Sequence, residues 1–180
     1  MHHTLSDYIS DLAQNSVEAG SSVIIVDLVE RDGSVKVYIS DNGCGMDKET
    51  LSKVRDPFFT EQGKHDRRRV GLGIPFLSQQ IAQCGGTLDI SSQKDFGTSL
   101  FFSYDRKNPD APPVGDLVNA LVTLMGQPGE FELKFTRTSG DKSYSVSRSE
   151  ATDALGDLRD AQSLIALRKY LRSIEEDYKS

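Results

Sequence analysis

Two β-branched runs, 23–29 (VIIVDLV) and 35–40 (VKVYIS), flank the turn Arg31-Asp32-Gly33-Ser34 and run into Asp41-Asn42-Gly43-Cys44-Gly45. A hairpin whose second strand ends in a cluster of turn formers commits the chain to a sheet, because no regular element can absorb the cluster. Ahead of the hairpin, Leu5, Tyr8, Ile9, Leu12 and Ala13 recur with a helical period, and Gly20 supplies the stop. The opening of the chain therefore reads as helix, hairpin, irregular loop.

The remainder continues in mixed order. A short helix over 47–54 is ended by Pro57, and 61–73 is polar, basic and glycine-containing, the composition of a mobile loop. A second amphipathic helix over 75–84 closes at Gly85-Gly86, and strands follow over 87–92 and 98–104. Proline and polar residues cluster at 107–113 (KNPDAPP), which marks a boundary between a first domain, 1–107, and a smaller α+β region, 114–180. The latter reads as a helix over 115–125, a hairpin over 131–137 and 142–147, and two helices. The last helix, 162–178, carries Leu164, Ile165, Leu167, Leu171 and Ile174 on one side. Elements in this order predict an α+β two-layer sandwich on a mixed, mostly antiparallel sheet rather than a doubly wound fold.

Composition narrows the function classes. At 37% hydrophobic over 180 residues the chain can bury a real core. A formal net charge of −6 argues against a global pull toward nucleic acid or an anionic membrane, so neither is expected as a partner. Cys44 and Cys84 have neither metal-ligand spacing nor the density of a disulfide scaffold, and read as reduced thiols. No apolar run reaches the ~18 residues of a membrane helix. The N-terminus lacks the apolar stretch of a signal peptide, so the cytoplasm is the expected compartment.

Three short segments carry the chemistry: 11–20 (DLAQNSVEAG) on the first helix, 41–46 (DNGCGM) after the hairpin, and Gly71-Leu72-Gly73-Ile74 at the start of a helix, with Gly97-Thr98 opening the last strand of the first region. Each is weak alone. An Asn on a helix is commonly solvated, DNGCG is commonly a turn, and Gly71-Leu72-Gly73 lacks the third glycine and preceding strand of a dinucleotide fingerprint. No GxxxxGK[ST] loop is present, so a phosphate binder here has to be of another kind.

In this order and spacing the segments resemble the gyrase, heat-shock chaperone, histidine kinase and mismatch-repair (GHKL) superfamily, whose ATP-binding domain has the Bergerat fold. Residues 11–20 resemble its asparagine box, 41–46 its first glycine box, 56–60 (DPFFT, with Phe58) the phenylalanine box of histidine kinases, and 71–74 its second glycine box. The resemblance spans about residues 5–104 and implies Mg²⁺ and ATP as cofactors. It implies Asp41 as acceptor of the adenine amino group, with Gly43, Gly45 and Met46 beside it. Thr98 would hold that carboxylate or a bridging water. A carboxylate there would select adenine over guanine, which presents a carbonyl at the same place.

The same resemblance gives Asn15 to Mg²⁺, a hard ion that prefers oxygen ligands. It gives Gly71, Leu72, Gly73 and Ile74 to the phosphates at a helix N-terminus. Lys64, Arg67, Arg68 and Arg69 fall where the family has its ATP lid; they are a solvated charge run or a phosphate contact, with Lys64 and Arg69 the candidates for contact. Asp11 stands where hydrolysing relatives carry Glu as general base, four residues before Asn15 and on the same helix face. It can act as a base but is one methylene shorter, and small misplacements are costly.

Histidine kinases carry a phosphoacceptor helix upstream of the asparagine box, and mismatch-repair ATPases a second α+β domain. With ten residues before Asp11 and about seventy after Pro113, a small stand-alone member is expected. The run of DLAQNSVEAG, VGLGIPF, QCGGTL and PPVGDL is similar to small ATP-binding proteins of anaerobic bacteria encoded beside redox subunits, which points to a redox or signalling protein as partner. An ATPase or protein kinase is the leading reading. A non-catalytic ATP-dependent switch is the alternative, and a homodimer is compatible with the amphipathic last helix.

Overall fold

The structure is a computed structural model, and it describes residues 3–55 and 73–179. Helix α1 (Leu5–Glu18) precedes the hairpin β1 (Val23–Arg31) and β2 (Ser34–Asp41); α2 (Lys48–Arg55) and α3 (Gly73–Gln83) lead to β3 (Thr87–Gln93) and β4 (Gly97–Asp105). After them come α4 (Leu117–Met125), β5 (Glu132–Ser139), β6 (Lys142–Ser147), α5 (Arg148–Leu155) and α6 (Ala161–Lys179). The six strands form one sheet in the order β3-β4-β2-β1-β5-β6. Only the β1–β5 pair is parallel; the other neighbours run antiparallel.

Alternation decides which face is covered. Ile24, Val26 and Leu28 of β1 are fully buried, whereas Val23 and Ile25 between them are exposed. The same holds for Val35 and Val37 against Tyr38 in β2. The inward set joins Phe102 of β4, Phe135 of β5, Leu5 and Ile9 of α1, Leu77 of α3, Leu121 and Met125 of α4, and Leu167 and Leu171 of α6 in one core. Helices thus line one side of the sheet and the architecture has two layers. Seven of the nine residues of α4 are buried, the mark of a helix enclosed on all sides.

The region after the proline cluster extends this sheet. Strand β5 pairs with β1 along its length, from Val23 opposite Glu132 to Glu30 opposite Ser139. The cluster itself caps a helix: Pro113 and Val114 carbonyls accept from the Leu5 and Ser6 N–H groups at 2.8 and 2.9 Å. These are two of the four donors that a helix N-terminus leaves without an internal partner. Thr4 and Asp7 complete the end as a capping box. Gly115, at φ +77°, lies so close to Thr4 and Ser6 that a Cβ would overlap both side chains. At the other end of α4, the Arg148 guanidinium donates to the carbonyls of Met125, Gln127 and Phe131 at 2.9–3.1 Å and lies over the Phe131 ring.

Candidate functional site

A cavity of about 680 Å³ opens between α1, α2, the start of α3 and the end of the sheet where β2 stops. Such a volume is in the range of cofactor sites. Leu12, Ile39, Met46, Val54, Ile74 and Leu100 give it apolar walls, and Asn15, Asp41 and Thr98 bring polar groups into it. Six residues expected from sequence, Asn15, Asp41, Gly45, Met46, Ile74 and Thr98, therefore converge on one space.

The loop that shapes the cavity owes its path to glycine. Gly45 sits at φ +59°, and a Cβ on it would overlap the Gln93 carbonyl. Gly97, at φ +104°, stands equally close to the carbonyl of Asp41. Any side chain at either position would push the loop away from the β3–β4 hairpin. The loop is then pinned by hydrogen bonds: the Asp95 N–H donates to the Cys44 carbonyl at 2.7 Å and the Met46 N–H to Ser92 Oγ at 2.8 Å. Asn42 fastens the other side, its Oδ1 accepting from the Ser22 and Val23 N–H groups, both at 2.9 Å.

Asp41 is the last residue of β2 and its carboxylate is held by three donors. Oδ2 accepts from Ser16 Oγ at 2.8 Å, and Oδ1 accepts from the Gly43 N–H at 2.9 Å and from Ser21 Oγ at 3.2 Å. Thr98 lies opposite Asp41 in the β2–β4 register, but its hydroxyl is bonded to Ser92 Oγ at 2.9 Å. The side-chain hold on the carboxylate thus comes from Ser16 and Ser21, beside the Gly43 N–H. Neither serine stands out in the sequence: Ser16 is one residue past Asn15, and Ser21 lies in the turn after Gly20. The buried, polar character of both positions emerges only when α1 folds back over the end of β2.

Asn15 faces the cavity one helical turn beyond Asp11, and its side-chain amide has no hydrogen bond to another described residue. Asp11 remains solvent-accessible and abuts Gly73, the first residue of α3, in ordinary van der Waals contact with the place a Cβ would take. Partial burial pushes its carboxyl up from the usual range, an effect that His3 opposes and Asp7 reinforces. Lys94, on the β3–β4 turn, is the one cationic side chain among the described residues lining the cavity, which Glu18, Asp41, Asp47 and Asp95 line as well. Phe58, Lys64, Arg67, Arg68, Arg69, Gly71 and Leu72 lie outside the described residues.

Residues 2–108 match the family described as histidine kinase-, DNA gyrase B- and HSP90-like ATPases. The chain belongs to this ATPase family. Within it, a putative sensor protein of Shewanella frigidimarina is 32% identical over 99 residues, covering 53% of this chain and 15% of that protein. The sensor histidine kinase ZraS of Escherichia coli is 28% identical over 111 residues, covering 58% and 23%. The chain spans less than a quarter of the length of these relatives. Among solved structures, the Aquifex aeolicus MutL ATPase domain complexed with ADP superposes with a TM-score of 0.50 at 15% identity, covering 85% of this chain and 67% of that one. The N-terminal domain of a DNA repair protein gives 0.54 at 16% identity, covering 89% and 58%. At these identities the likeness is one of fold. At 89% of this chain it extends past residues 2–108 of the family match.

Proposed function

We propose that the cavity binds Mg²⁺-ATP and that the protein is an ATPase or an ATP-dependent protein kinase acting on a partner protein. The observation that carries the reading is the Asp41 carboxylate, held by three donors at the wall of a mostly apolar cavity that Asn15 also enters. A flat heteroaromatic base fits between Ile39, Met46, Ile74 and Leu100, and an amino group on it finds the carboxylate as acceptor. The amide oxygen of Asn15 is the kind of neutral oxygen ligand that magnesium takes together with waters and phosphate oxygens. Magnesium would neutralise phosphate charge when bound. Gly73 opens α3, and the N–H groups of its first turn would serve as donors to phosphate oxygens.

Asp11 is the candidate general base. Its carboxylate sits beside Gly73, hence beside the proposed phosphate end, and would take the proton of an attacking water or acceptor hydroxyl. The test is single-turnover incubation with Mg²⁺ and γ-labelled ATP, in parallel with Asp11→Asn and Asn15→Ala. Phosphate release that falls at least ~100-fold in Asp11→Asn while ATP still binds would establish a hydrolase with Asp11 as base. Label on the protein itself, or on an added partner, would make it a kinase. Binding with neither signal would leave the alternative, a nucleotide-driven switch, and absence of binding would remove the proposal.

A further inference from the structure

We infer that Ser16 and Ser21 set the nucleobase selectivity of this site by committing the Asp41 carboxylate to a single outward acceptor position, which rests on the ATP reading above. Both serines are buried, at 4% and 5% exposure, and their hydroxyls reach Asp41 from different elements, one from α1 and one from the turn before β1. A carboxylate offers about four lone-pair sites. Ser21 Oγ and the Gly43 N–H take both on Oδ1, and Ser16 Oγ takes one on Oδ2. One site remains, on Oδ2, the number that a single purine amino N–H requires.

The donor side is equally restricted. Ser16 Oγ also lies 3.3 Å from the Leu12 carbonyl oxygen, but it has one proton, and the 2.8 Å bond to a charged acceptor takes it. Ser21 has no other hydrogen-bond acceptor among the described residues, so its proton also goes to Asp41. Neither serine hydroxyl is then free to turn and donate to a carbonyl. A 6-oxopurine would place its oxygen against a carboxylate with no donor to relieve the contact, whereas a 6-aminopurine meets an acceptor already aimed. Ser21 further seals the arrangement from behind: a Cβ on Gly43 would overlap its Oγ, so hydroxyl, glycine and carboxylate interlock. Serine thus acts here as a positioning residue, through Asp41, and contacts no base.

The inference is tested by measuring dissociation constants for Mg²⁺-ATP and Mg²⁺-ITP, nucleotides that differ at the purine 6-position, on the full chain and on Ser21→Ala, Ser16→Ala and Ser21→Thr. The expected result is a strong preference of the native protein for ATP. That preference falls roughly tenfold in each alanine variant, mostly through ATP, and returns in Ser21→Thr, which keeps the hydroxyl. Ser16→Ala serves as the independent probe if Ser21→Ala does not fold. Equal weakening of ATP and ITP in the alanine variants, or an unchanged ratio, would overturn the role in selectivity while leaving ATP binding intact. A native protein that binds neither nucleotide would overturn the ATP reading and this inference with it.

Discussion

Asp11 is the residue at which chemistry depends most on its surroundings. Partial burial raises its carboxyl pKa, and the sign of the consequence follows directly. A base with a raised pKa is protonated, and hence inactive, up to a higher pH than an ordinary Asp. If Asp11 is the base, single-turnover hydrolysis falls on an acid limb centred above the ordinary value of about 3.9. Replacing His3 with Asn removes the electrostatic influence that lowers the Asp11 pKa and moves that limb further up, which a pH–rate profile of the two proteins would show; an unmoved limb would exclude that influence. Asp11 and Asn15 could be read as a pair from their spacing alone, since four residues on a helix define a shared face. Ser16 and Ser21 could not, because their partner is 25 and 20 residues away along the chain.

At the scale of elements, α6 is tied to the sheet by charge as well as by Leu167 and Leu171. Arg137 of β5 donates through Nη1 to Glu175 of α6 at 2.6 Å and pairs through Nη2 with Glu30 of β1 at 2.7 Å. All three are less than a tenth exposed. Tyr144 of β6 adds a hydroxyl to Glu175. Burial works against the charge on the guanidinium, but the hydrogen bonds from it to Glu175 and Glu30 outweigh that cost and raise the Arg137 pKa. The pair is therefore expensive to break on one side only. Arg137→Leu should destabilise the fold by about 3–5 kcal/mol, read as a lower urea midpoint at unchanged slope. A loss below about 1 kcal/mol would mean that water reaches the group.

For the whole molecule, the decisive fact is that β1 lies between β2 and β5 in one sheet. A chain cut after residue 107 would lose β5 and α4, uncovering the buried edge of β1 and the side of α1 that packs on α4. It would also lose the Pro113 and Val114 carbonyls that cap α1. Residues 1–107 alone are thus expected to lack cooperative unfolding and dispersed amide resonances, or to aggregate through the open β1 edge. A soluble fragment with a sharp thermal transition would instead show that the family-matched region is self-sufficient. Since α1 carries Asp11, Asn15 and Ser16, the integrity of the cavity follows that of the sheet extension.

Much of this protein is readable without coordinates. Two β-branched runs located β1 and β2, a helical period located α1, and Gly20 and Gly33 marked where they turn. Asn15, Asp41, Gly45, Met46, Ile74 and Thr98, singled out by the order of the asparagine and glycine segments, line one cavity, because local patterns survive folding unchanged. What local pattern could not show is anything settled by strand pairing across distance. The proline cluster reads as a linker because proline and polar residues avoid regular structure, yet its carbonyls cap α1 and its chain leads into the same sheet. Likewise Thr98 sits opposite Asp41 in register while two serines from elsewhere hold the carboxylate. A hydroxyl's partner depends on which segments meet, and that is a property of packing, to which sequence neighbours are blind.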